Sequence, residues 1–210
     1  MTVINPPGAN SVIGLYGLYA DTQRGLFIKN ICVTGAYEGM KLVNVDYSTI
    51  TMDSAGSNGN NGIYLLNGSD TNTVSNCMAR ANTLSGGGGV YLSGSSGNTL
   101  PGNTLNANSF GVYLSSANGN TVSGNTANSN TNDGIDVQTS NNNLITGNTA
   151  KSNSSYGVYL NSASNNTLTA NTFNSNTQYG IALQASSNNR VMVNELRLNT
   201  QYQIYINTSS

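Results

Sequence analysis

The chain has 210 residues and a formal net charge of −1, with 7% charged residues where about a quarter is usual, and it contains neither histidine nor tryptophan. Its seven basic residues form no stripe that could neutralise phosphates, which argues against a nucleic-acid partner, and no apolar run approaches the ~18 residues of a membrane span. Abundant Asn, Gly, Ser and Thr with so little net charge, and with Val, Ile and Leu recurring at fixed places, indicate a repetitive folded chain rather than a disordered one.

Residues 1–16 read as an irregular segment: Pro6, Pro7 and Gly8 forbid a helix of any length, and Met1 to Asn10 shows no basic region followed by an apolar stretch. From residue 17 to 210 the chain reads as one repeating domain. A Gly-apolar-x-apolar tetrad starts weakly at Gly17-Leu18-Tyr19-Ala20 and recurs from Gly39, Gly62, Gly89, Gly111, Gly134, Gly157 and Gly180. It closes at Gln203-Ile204-Tyr205-Ile206 without its glycine. From Gly39 onward the spacings are 23, 27, 22, 23, 23, 23 and 23 residues, the long one holding an insertion near Gly86 to Gly89 that predicts an edge loop. A second apolar mark follows each glycine, at Ile50, Val74, Leu100, Val122, Ile145, Leu168 and Val191, with Phe27 in the same slot one coil earlier.

Alternation of period two within each tetrad predicts a strand with one buried face, and the segments are too short and too rich in Gly and Asn for helices. Same-sense strands at a near-constant interval predict an all-β, single-stranded right-handed parallel β-helix of about eight to nine coils of about 23 residues. Ile63, Leu65, Val90, Leu92, Val112, Leu114, Ile135, Val137, Val158, Leu160, Ile181 and Leu183 should form its core.

Three asparagine columns support the stacking. One runs through Asn30, Asp53, Cys77, Asn103, Asn125, Asn148, Asn171 and Asn194. A second takes Asn58, Asn82, Asn108, Asn130, Asn153, Asn176 and Asn199, and a third Asn72, Asn98, Asn120, Asn143, Asn166 and Asn189. Asn tolerates left-handed backbone, and stacked amides can bond to one another, so these columns read as structural. The two cysteines, Cys32 and Cys77, are too few for a disulfide framework or a zinc site. Cys32 falls in an inward slot two coils from Cys77, about 9–10 Å of stacking, too far for a disulfide, so both should be free thiols.

Units such as Asn120-Thr121-Val122-Ser123-Gly124-Asn125-Thr126 followed by Gly134-Ile135-Asp136-Val137 resemble the parallel β-helix repeats of the pectin-lyase-like superfamily, NosD-type repeat proteins above all. The resemblance runs from about Phe27 to the C-terminus. It implies the fold, and leaves open polysaccharide lyase, hydrolase or epimerase activity, a tailspike or adhesin role, and no chemistry at all. The Gly-His-Gly of the superfamily's hydrolases and the Asp-Pro-His-Glu of its epimerases are both missing here.

The residues themselves offer three surfaces. The outward column of the tetrad strand reads Lys41, Tyr64, Tyr91, Tyr113, Asp136, Tyr159, Ala182 and Tyr205, flanked by Gln138 and Asn161. Tyr64, Tyr91, Tyr113 and Tyr159 with those amides make a candidate sugar platform, exposed to solvent. Asp136, with Asp133 before the glycine, is the one carboxylate pair suggestive of a glycosidase, although a turn Asp and a solvated Asp explain it more simply. Thr columns around the second marks resemble ice-binding faces but are interrupted by Pro101, Leu144, Arg190 and Met192. No metal or cofactor site is expected, and Gly86 to Gly89 lacks the Asp of calcium-binding nonapeptide repeats.

The composition and columns favour a non-catalytic extracellular or cell- or virion-surface rod. Its tyrosine face would contact glycan or protein, and it would associate with itself end to end or side by side. A polysaccharide-active enzyme centred on Asp136 is the alternative, and an ice-binding surface the third reading.

Overall fold

The computed structural model describes residues 2–4, 16–83 and 86–207, and among them there is no helix. The chain winds into a parallel β-helix of about eight turns with three sheets. The first sheet has nine strands, one per tetrad, from Tyr16–Asp21 through Phe110–Ser115, Ile135–Gln138 and Val158–Asn161 to Tyr202–Asn207. The second has eight short strands centred on the second marks, from Phe27–Lys29 to Arg190–Met192. The third begins with Thr2–Ile4, Ile31–Thr34 and Ser54–Gly56 and continues as single parallel bridges through Met78, Thr104, Thr126, Thr149, Thr172 and Glu195. Strands of neighbouring coils pair in parallel, so identical positions stack: Val112 on Ile135, Tyr113 on Asp136, Leu114 on Val137.

The alternating apolar residues fill the interior, and all twelve expected core residues are buried. Each asparagine column is a buried ladder. The Asn125 carbonyl Oδ1 accepts both the backbone N–H and the side-chain Nδ2 of Asn103, while its own Nδ2 donates to the Leu100 carbonyl and to Asn148 Oδ1. Every polar atom of such an amide finds a partner, so the burial cost is offset and the turn geometry is copied from coil to coil, with Asn58 Nδ2 near the start of its column the buried exception. Left-handed backbone falls on the residue before the ladder asparagine rather than on it: Ser129 before Asn130, Gly124 before Asn125, Asn142 before Asn143.

Three expectations are corrected. Ile28, not Phe27, holds the inward mark of the first coil, pairing with Ile50, while Phe27 is 70% exposed. The reading chose the larger apolar residue; the register chose the one that continues the row. That one-residue shift makes Ile31, not Asn30, the residue whose N–H bonds Asp53 Oδ1, and turns Val33 rather than Cys32 into the core. Cys32 and Cys77 are nonetheless both free. Of residues 1–16, Thr2–Ile4 pairs with Ile31–Thr34 and Tyr16 opens the first strand of the nine-stranded sheet, while residues 1 and 5–15 lie outside the described residues. Residues 84 and 85 of the expected edge loop lie outside the described residues.

Candidate functional site

The outer face of the first sheet carries two aromatic columns, not one. Strand Phe110–Ser115 has two consecutive buried residues, Gly111 and Val112, between the half-exposed Phe110 and Tyr113. The glycine breaks strict alternation because the next coil presses on it: a Cβ on Gly111 would stand 2.5 Å from both Ala127 Cβ and the Gly134 carbonyl oxygen. The residue before each glycine is thereby turned to the same side as the tetrad's outward residue. Phe110 stacks on Tyr113 at 5.1 Å, and Tyr156 leans on Tyr159 at 5.0 Å. The register adds Tyr179 and Tyr202 to this second column and sets Asp133 in it, one coil between Phe110 and Tyr156.

Tyr64, Tyr91 and Tyr113 stack along the axis with centroids 4.7 and 4.5 Å apart and planes within 13°. Their faces cover one another and they are half-buried, so the expected open platform is corrected: ring edges and hydroxyls meet solvent, and the flat faces do not. The column is interrupted at Asp136, which pairs with Tyr113 on one side and Tyr159 on the other. There Asp133 and Asp136 lie side by side between the Phe110/Tyr113 rings and the Tyr156/Tyr159 rings, two coils or about 9–10 Å apart.

Neither carboxylate is solvated, which corrects the simpler reading of both: Asp133 is 4% and Asp136 5% exposed. Asp133 Oδ1 accepts the Tyr156 N–H at 3.0 Å, and Asp136 Oδ1 accepts Gln138 Nε2 at 2.6 Å. Asn161 Nδ2 in turn donates to Gln138 Oε1 at 2.9 Å, so both flanking amides are tied into the holding of Asp136. Tyr159 is fixed by a 2.6 Å bond to Gln184 Oε1. Loss of water, then the Asp136 charge, pushes the Asp133 pKa up to about 8. Loss of water pushes Asp136 up to about 7, with Gln138 holding it lower. Tyr113 rises to about 12, first from burial and then from the Asp136 charge. Burial thus brings both carboxyls into the neutral range, where the pair can hold a proton, the condition for an acid and a base in one site.

The sequence reading found Asp136, Asp133, Tyr64, Tyr91, Tyr113, Tyr159, Gln138 and Asn161. The structure gathers Tyr113, Tyr159, Gln138 and Asn161 around the pair and leaves Tyr64 and Tyr91 further along the stack. The reading missed Phe110, Tyr156 and Tyr179, whose signal was a second aromatic column three residues before the first. The Thr face is broken where expected, and its hydroxyls bond each other, as Thr73 and Thr99 do at 3.1 Å.

Residues 29–210 match the model of the family described as periplasmic copper-binding protein (NosD). No curated protein matches the sequence. Among solved structures, the periplasmic alginate epimerase AlgG superposes with a TM-score of 0.75 at 19% identity, over 91% of this chain and 47% of that one. An alginate lyase from Paenibacillus sp. str. FPU-7 gives 0.74 at 17% identity, over 98% and 79%. The DFA-IIIase from Arthrobacter chlorophenolicus A6 gives 0.70 at 15%, over 82% and 48%. The chain therefore spans about half the length of the epimerase and the DFA-IIIase, and the likeness is one of fold.

Copper does not fit the side chains present. The chain has no histidine, and among the described residues no three His, Cys, Asp or Glu come together. The Cys77 thiol is sealed inside the stack, and burial pushes its pKa up to about 12, far from the thiolate that would bind a soft metal.

Proposed function

The chain belongs to the NosD family, and we propose that it acts on polysaccharide at the Asp133–Asp136 pair by general acid–base chemistry. The observation that carries this reading is two water-excluded carboxyls, side by side and with pKa values raised by burial, set between aromatic pairs on the outer face of the first sheet. Glu38 is buried singly in the same column and held by Asn60 and Asn61, whereas two carboxyls buried side by side outside the core are costly and are characteristic of functional sites. That the neighbours in fold are named for an alginate epimerase, an alginate lyase and a DFA-IIIase supports a sugar polymer as the substrate.

Gln138 donates to Asp136, stabilises its ionised form and makes it the base; Asp133, the harder to ionise, is the acid. The aromatic rings exclude water and offer apolar edges to a sugar, while the Tyr113 and Tyr159 hydroxyls lie at the rim. Such a pair works best where the base is ionised and the acid is not, so activity should peak between about pH 7 and 8. A family described as periplasmic, and a polymer as substrate, together support a place outside the cytoplasmic membrane.

The test is turnover of a polysaccharide panel followed by reducing-end and unsaturated-product assays. Asp136→Asn and Asp133→Asn should each lower the rate by about 10²–10⁴-fold with the fold intact. Undiminished turnover in both variants would remove the pair from the chemistry, and binding without turnover by the native chain would restore the display reading.

A further inference from the structure

We propose that the sugar reacting at this site carries no carboxylate, and that the reaction is hydrolysis; this rests on the acid–base reading of Asp133 and Asp136. The coil before the pair contributes Phe110, Tyr113 and Ser115 to the face, and the coil after it Tyr156, Tyr159 and Asn161. None of these is basic. Two coils out, Tyr91 and Ser93 on one side and Tyr179 and Gln184 on the other are equally uncharged. The nearest cation of this face is Lys41, four coils or about 19 Å along the stack. Its Nζ is already engaged with Tyr16, 3.2 Å from the hydroxyl and 4.6 Å from the ring centroid. Lys151, closer in sequence, stands exposed on the third side of the coil, where its N–H bonds Asn128 Oδ1.

A uronate placed here would bring a third carboxylate to a water-poor pair that already resists ionising, with no side-chain cation to answer it. Elimination and C5 epimerisation both draw a proton from beside that carboxylate. Their transition states spread the new negative charge onto it, and they depend on cations or strong donors aimed there. Hydrolysis asks only for two carboxyls. Asp133 gives its proton to the glycosidic oxygen as the C1–O bond breaks. Asp136 takes a proton from water as the water oxygen bonds to C1, so that one water is added across the bond. A neutral or amine-bearing polymer meets these conditions.

The experiment compares β-glucan and mannan oligosaccharides, chitosan oligomers, and polymannuronate and polygalacturonate with and without added calcium, using the native chain and Asp136→Asn. Reducing ends from a neutral or amine-bearing polymer, without unsaturated product, and uronates at least about 100-fold poorer in kcat/KM, are the expected results. Preference for chitosan over the neutral polymers would show the pair also serving as counter-charge. Unsaturated or C5-inverted product from a uronate, lost in Asp136→Asn, would overturn the substrate class while leaving the site standing. No turnover of any polymer would take down both.

Discussion

Asp53 occupies a place that five later coils give to asparagine, and its chemistry there is that of a substitute. Its Oδ1 accepts the Ile31 N–H at 2.7 Å, but Oδ2, where an amide would donate, has no partner, and the residue is 2% exposed. Desolvation accordingly raises its pKa. In the later coils the ladder Nδ2 donates to the carbonyl of the previous mark, as Asn125 does to Leu100, so an amide at 53 would reach Ile28. Asp53→Asn should raise stability by about 1 kcal/mol in denaturant titrations at neutral pH, because a hydrogen bond replaces an orphaned atom. A loss of stability would mean that Asp53 serves something other than the ladder. The same residue shows why a column read from one-letter codes can slip. Phe27 and Ile28 are both apolar, and only stacking against Ile50 decides which one faces in.

At the scale of the strand, inside and outside are separated by one residue. Leu114 is wholly buried and Tyr113, its neighbour, is half-exposed on a stack of rings. Leu114→Ala should cost about 2–5 kcal/mol by thermal or chemical unfolding, and Tyr113→Ala clearly less, since only part of its surface leaves water; equal losses would invert the assignment. The asparagine columns and the glycine tetrads were legible because both repeat at the period of the coil, so register, core and ladders follow from spacing. The residues of the site could be named, but their shared face and burial could not, because both depend on a departure from alternation. Two residues three apart, Asp133 and Asp136, should face opposite ways in an even strand. They share a face only because the coil following Gly134 presses so close that a Cβ there would meet Ala150. A repeat pattern records what is common to the coils. The pair exists where one coil differs from its neighbours, with two carboxylates in place of two rings.

For the molecule as a whole, the pair ties stability to pH in an unusual direction. An acid whose pKa is higher folded than unfolded binds more protons in the folded state, so its stabilising effect is complete below the unfolded value near 4 and is lost as pH rises through the folded one. With Asp133 at about 8 and Asp136 at about 7, the native chain should lose stability steadily between about pH 4 and 8. The double variant Asp133→Asn/Asp136→Asn should lose most of that slope, keeping the smaller part that the raised pKa of Asp53 contributes. The most direct test of the central claim is a carbon-13 NMR titration of the aspartate carboxyls in the intact protein. Two carboxyl resonances should titrate between about pH 6 and 9, coupled to each other, with each Asp→Asn variant removing one and lowering the midpoint of the other. If all aspartates at the face titrate near pH 4, the two carboxyls are ordinary solvated acids, and the acid–base site they are taken to form does not exist.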